Sequence, residues 1–84
     1  MNWNKFGFVR ASKYRTAIVG CLSAGPKVPS QISTETKLFK THVSTVLKEL
    51  VVEKIIQCLT PDLRRGRVYG LTAEGKLIAK ELRR

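Results

Sequence analysis

The chain has 84 residues, 43% of them hydrophobic and 26% charged. That is enough apolar content for one small domain burying about 60–65% of its unfolded surface, and too much for a disordered chain. Sixteen lysines and arginines against six acids give a net charge of +10, with no acid before Glu35. So one-sided a balance points to a polyanionic partner. No run reaches the 18–20 apolar residues of a membrane span, and no signal-like segment opens the chain. Cys21 and Cys58 lack the paired spacing of a zinc site and read as buried free thiols. Charge favours nucleic acid over a merely basic soluble protein, with a membrane surface third, and the chain is expected in the cytoplasm, associated with chromosomal DNA in the nucleoid.

At the N-terminus Trp3, Phe6 and Phe8 alternate with Asn4, Lys5 and Gly7, which predicts an extended segment. Three rings left in water would forgo about 1.5–3 kcal/mol each, so this segment is expected to strap the domain or contact a second copy. Ser12 caps a helix over 12–24, whose stripe of Tyr14, Ala17, Ile18, Cys21 and Leu22 stops at Gly25-Pro26. Pro29 opens a short helix over 29–35 in which Ile32 is the one large apolar residue. A helix over 39–53 follows after Thr36-Lys37. Its core face is Phe39, Val43, Val46, Leu47, Leu50 and Val51, at three-and-four spacing. Thr41, Thr45 and Lys48 fall on the opposite face, flanked by Ser44 and His42. Strands over 55–59 and 67–71 are joined by the arginine-rich turn Thr60-Pro61-Asp62-Leu63-Arg64-Arg65-Gly66. Thr72 caps a last helix over 72–82, with Leu71, Leu77, Ile78 and Leu82 inward. Glu74 near its start and Lys80, Arg83 and Arg84 at its end suit the helix dipole.

This order is that of a winged helix-turn-helix: an α+β fold, mostly α, with a three-helix core, a two- or three-stranded β-wing and a C-terminal helix, in a single domain over 1–84. The run Thr60-Pro61-Asp62-Leu63-Arg64-Arg65-Gly66-Arg67, followed by Leu71-Thr72-Ala73-Glu74-Gly75-Lys76, resembles the wing and following helix of MarR-type regulators and of small archaeal winged-helix proteins. In those, an Asp-x-Arg and a Leu-Thr-x-x-Gly element recur in this order. Pro29-Ser30-Gln31-Ile32 and His42-Val43-Ser44-Thr45-Val46-Leu47-Lys48-Glu49-Leu50 are similar to the second and recognition helices of the same family. Similar sequences place glycine in the turn before the recognition helix and just after it. This chain has Thr36-Lys37 and Glu53-Lys54 there. A lysine in the left-handed region costs about 1 kcal/mol, so one or both turns are expected to differ in shape. The long terminal helices through which MarR-type proteins dimerise and enclose ligands have no counterpart in these 84 residues.

A helix of this kind lies in the major groove, where Thr41, Ser44 and Thr45 can reach base edges or phosphates and Lys48 can pair with guanine or phosphate. Arg64, Arg65 and Arg67 on a hairpin tip suit the backbone and the minor groove. Asp62 is expected to hold an arginine or cap the turn. The resemblance implies that Lys37, Lys40, Lys13 and Arg15 meet phosphates at the groove edges. His42, the sole histidine, has no ligand or catalytic pattern around it and is read as a DNA-face or flanking residue. There is no nucleophile motif, glycine-rich phosphate loop or paired carboxylate, so no enzyme activity, metal or cofactor is expected. The sequence therefore predicts a double-stranded DNA-binding transcriptional regulator. The alternatives are a protein-interaction module of a larger transcription assembly and a sequence-nonspecific chromosomal protein. A homodimer through the aromatic N-terminus and C-terminal helix would set two recognition helices about 34 Å apart on a palindrome.

Overall fold

The computed structural model describes residues 1–84. Helix α1 (Trp3–Arg10) leads into α2 (Lys13–Leu22), α3 (Pro29–Thr36) and α4 (Lys40–Val52). Strands β1 (Ile56–Cys58) and β2 (Tyr69–Leu71) and helix α5 (Ala73–Leu82) complete it. The strands pair antiparallel, with Ile56 opposite Leu71 and Cys58 opposite Tyr69. Lys27 adds a single third rung: its N–H donates to the Tyr69 carbonyl at 3.0 Å, and the Tyr69 N–H returns to the Lys27 carbonyl at 2.9 Å. This is a mostly helical winged helix-turn-helix, with the base of the wing tied to the connection between α2 and α3.

The core collects Ile18, Val19 and Leu22 from α2, Ile32 from α3, Val43, Val46, Leu47 and Leu50 from α4, and Ile55, Ile56, Leu71, Ile78 and Ala79 beyond. Val9 from α1 joins them, which corrects the expectation of an extended N-terminus. Residues 3–10 are helical because Asn2 Oδ1 accepts from the Lys5 N–H at 3.1 Å, and because Phe6 and Val9, three apart, turn to the same side. Phe6 and Phe8 pack onto the core, whereas Trp3 stays exposed and meets Phe6 edge-on at 5.5 Å.

Five residues of the predicted stripes, and the strand lengths, need correction. Tyr14 and Ala17 are exposed, since Val19 rather than Ala17 shares the buried face of α2 with Ile18 and Leu22. Phe39 and Val51 are exposed on α4. Phe39 precedes the first helical turn, with extended backbone at φ −64°, ψ 146°, so helical spacing does not aim its side chain, and Leu38 packs against the core instead. Leu77 is exposed because α5 turns Gly75, Ile78 and Ala79 inward. The strands are shorter than expected, although Leu59 N–H still donates to Val68 at 2.7 Å and Thr72 N–H to Ile55 at 3.0 Å beyond the named residues.

The two glycine-free turns also depart from expectation, because both keep the conformation that glycine favours. Lys37 sits at φ 61° and Lys54 at φ 60°. Around Lys54 the closure of α4 is a Schellman pattern: Ile55 N–H donates to the Leu50 carbonyl and Lys54 N–H to that of Val51, each at 3.0 Å. Leu50 and Ile55 are wholly buried, and their packing holds the lysine left-handed. The next junction is fixed by Thr72. Its Oγ1 accepts from the Gly75 N–H at 3.0 Å, capping α5, and donates to the Lys54 carbonyl at 2.8 Å. Gly75 packs so closely that a Cβ there would collide with the Ile55 carbonyl oxygen. The Leu-Thr-x-x-Gly element thus seats α5 directly on the chain leaving α4.

Candidate nucleic-acid interface

Burying Val43, Val46, Leu47 and Leu50 leaves Lys40, Thr41, Ser44, Thr45 and Lys48 exposed along α4. Thr45 Oγ1 spends its proton on the Thr41 carbonyl at 3.0 Å, so its free lone pairs suit a donor such as a base amino group. Lys37 is exposed in the turn before the helix. His42 does not join this face. It is half-buried, stacked on Tyr14 of α2 with ring centroids 4.8 Å apart and 23° between planes. It is thus a flanking residue that ties α4 to α2.

The wing is a closed turn. Leu63 N–H donates to the Thr60 carbonyl at 3.1 Å, and Val68 N–H to Thr60 Oγ1 at 2.9 Å. Gly66 takes φ 67°, and Arg67 Nε clips the tip by donating to the Leu63 carbonyl at 2.6 Å. Arg64, Arg65 and Arg67 are exposed and line one shallow cleft with Val28, Pro29 and Ser30 at the start of α3. Asp62 is exposed and makes neither an ion pair nor a turn cap. The expectation that it holds an arginine is therefore corrected: the Arg67 clip and Thr60 shape the turn.

Arg15 is also corrected, from phosphate contact to internal strut. Its Nε pairs with Glu49 at 3.2 Å, its Nη1 donates to the Phe8 carbonyl at 2.9 Å, and its guanidinium lies over the Phe8 ring at 3.8 Å. Arg15 thereby joins α1, α2 and α4 and has little left to offer a ligand. Lys13, by contrast, is exposed. The remaining ion pairs are Lys27 with Glu35 at 3.6 Å and Arg84 with Glu81 at 3.5 Å, and Glu74 accepts from the Asn2 N–H at 2.6 Å. None of Lys37, Lys40, Lys48, Arg64, Arg65 and Arg67 is ion-paired. Their charge is left uncompensated on the surface.

Cys21 and Cys58 are both free and half-buried. Burial, reinforced by Glu35, pushes the Cys21 thiol up in pKa against the opposing effect of Lys27, so it stays protonated and unreactive at neutral pH. No three His, Cys, Asp or Glu side chains converge as metal ligands, and no helix is long and apolar enough to cross a membrane. Sequence reasoning missed the exposed aromatic pair Phe39 and Tyr14. The helical repeat hid Phe39, which matches the spacing of α4 although its backbone is extended just ahead of the first turn.

No protein-family model matches the sequence, and no curated protein matches it. Solved structures do. NMB1585, a MarR family regulator from Neisseria meningitidis, superposes with a TM-score of 0.78 and 28% identity over 86% of this chain and 52% of its own. A second MarR family transcription regulator, SP03579, matches at 0.77 and 26% identity over 86% of this chain and 49% of its own. The adhesin competence repressor AdcR from Streptococcus pyogenes shares the fold at 0.77 and 19% identity over 86% of this chain and 55% of its own. The chain spans about half the length of these neighbours and has their winged-helix fold.

Proposed function

We propose that this MarR-like winged helix is a double-stranded DNA-binding transcriptional regulator, with α4 entering the major groove and the wing reaching the backbone and minor groove. The observation that carries this is the set of six cations, Lys37, Lys40, Lys48, Arg64, Arg65 and Arg67, that no acid of the chain neutralises. Thr41, Ser44 and Thr45 are exposed on α4 between Lys40 and Lys48. Phosphate contacts supply most of the affinity and fix the register; the hydroxyls and Lys48 select bases. Lys13 and His42 flank this surface, Lys13 at a phosphate and His42 behind the reading face. The likeness to MarR family transcription regulators supports the same role. The protein acts on chromosomal DNA in the cytoplasm.

Met1 and Trp3 of the N-terminal region and Leu77 of α5 are exposed and border one shallow surface with Lys80. These apolar side chains, rimmed by Lys80, Glu81 and Arg84, suit a second copy of the chain, which would present two α4 helices to a palindrome. Light scattering across a concentration series tests this pairing.

Salt titration tests DNA binding. Six phosphates neutralised give a slope of log affinity on log salt near −5, about a thousandfold loss between 50 and 200 mM. Arg65→Ala flattens the slope by about 1, and Lys48→Ala either does the same or shifts base preference. Titrations in which both variants bind like the parent at every salt concentration would remove the surface. Equal affinity for random and selected duplexes would favour a sequence-nonspecific chromosomal protein. A stable protein complex indifferent to salt would favour a transcription-assembly module.

A further inference from the structure

We propose that Phe39 is a base-specificity residue that recognises the C5-methyl group of thymine in the major groove; this rests on the DNA-binding role proposed above. Phe39 is 76% exposed, the most of any large apolar residue in the chain. It occupies the N-cap of α4 and makes no capping hydrogen bond, where Ser, Thr, Asp or Asn would satisfy an orphan helix N–H. The residue therefore contributes neither burial nor capping to the fold.

Its ring is nonetheless positioned. Phe39 meets His42 edge-on, with centroids 5.9 Å apart and 69° between planes. His42 in turn lies against Tyr14 of α2. Phe39 is the outermost rung of a three-ring ladder that ties the start of α4 to α2. Such a ring loses little freedom on meeting a surface, because the ordering cost is already met within the domain.

Charge decides what that surface is. Lys37 and Lys40 bracket Phe39 in sequence, both exposed and neither ion-paired, so the occupant is anionic around an apolar spot. A DNA major groove has that character, with phosphates along its rims and the thymine methyl as the apolar feature on its floor. A phenyl ring cannot tell bases apart by hydrogen bonding. It gains from the methyl alone, so it should accept 5-methylcytosine where it rejects cytosine.

The test uses the full chain and a duplex obtained by binding-site selection. Each thymine is replaced in turn by deoxyuridine, which keeps every hydrogen-bonding group and removes only the methyl. The expected result is a loss of about fourfold for the parent at one position per bound α4, the equivalent of one methyl-sized apolar contact. Phe39→Ser should bind thymine and uracil duplexes equally, with an unchanged salt slope and a melting temperature close to the parent's, since the cap that serine restores offsets the lost His42 contact. Phe39→Leu should keep part of the thymine preference. Deoxyuridine that is silent in the parent, or equally costly in parent and Phe39→Ser, overturns this assignment while leaving duplex binding intact. A parent with no salt-sensitive duplex binding overturns both.

Discussion

Lys37 and Lys54 hold left-handed backbone that glycine adopts freely, at φ 61° and 60°, and replacing each by glycine separates folding from binding. A left-handed non-glycine residue costs about 1–2 kcal/mol. Glycine gives back about 0.4–1 kcal/mol of that through the greater freedom of the unfolded chain. The net gain is about 0.5–1 kcal/mol, which raises the melting temperature of a domain this size by about 2–8 °C. Lys37→Gly and Lys54→Gly should both gain it, because neither side chain is ion-paired. On DNA they should part. Lys37→Gly removes a proposed phosphate contact and flattens the salt slope by about 0.9, whereas Lys54→Gly leaves the slope unchanged. Thermal melts followed by circular dichroism and fluorescence titrations at several salt concentrations read the two effects. Glycine variants melting at or below the parent would refute the conformational cost. An unaltered slope for Lys37→Gly would show that this lysine meets no phosphate, leaving its strained geometry without a return in binding.

Two further outcomes follow from the packing. Gly75→Ala drives a Cβ into the Ile55 carbonyl oxygen and should destabilise the domain by about 3 kcal/mol, read as a fall in urea midpoint at constant m-value; a change within 0.5 kcal/mol would mean that α5 is not seated on Ile55. Arg15→Ala should lower stability by about 1–2 kcal/mol, through the lost Glu49 pair and Phe8 contact, while leaving the salt slope of the folded protein unchanged. A flattened slope with parental stability would return Arg15 to the DNA surface.

Much of this architecture can be read from local chemistry. Ser12 and Thr72 accept from Arg15 and Gly75 as helix caps, Pro29 opens α3, and the spacing of Val43, Val46, Leu47 and Leu50 picks out the buried face of α4. The errors share a cause: a pattern only a few residues long leaves the direction of a side chain to its tertiary neighbours. Alternating rings over Trp3–Phe8 resemble a strand until Asn2 caps a helix and Val9 enters the core. Phe39 matches the repeat of α4 but stands before its first turn. At the candidate site, the exposure of Thr41, Ser44, Thr45 and Lys48 was legible because burial of one helix face dictates the other. The engagement of Arg15 was not, because Glu49 lies 34 residues away. Nor was the left-handed state of Lys37 and Lys54, which departs from the residue's own preference and is imposed at Lys54 by the packing of Leu50 and Ile55.

The hydroxyl of Thr72 bridges the carbonyl of Lys54, just past α4, and the Gly75 amide in the first turn of α5. The end of α4 and the start of α5 therefore meet at a corner closed by one side chain. A displacement of α5 would therefore be felt at the trailing end of α4, the helix proposed above to read DNA.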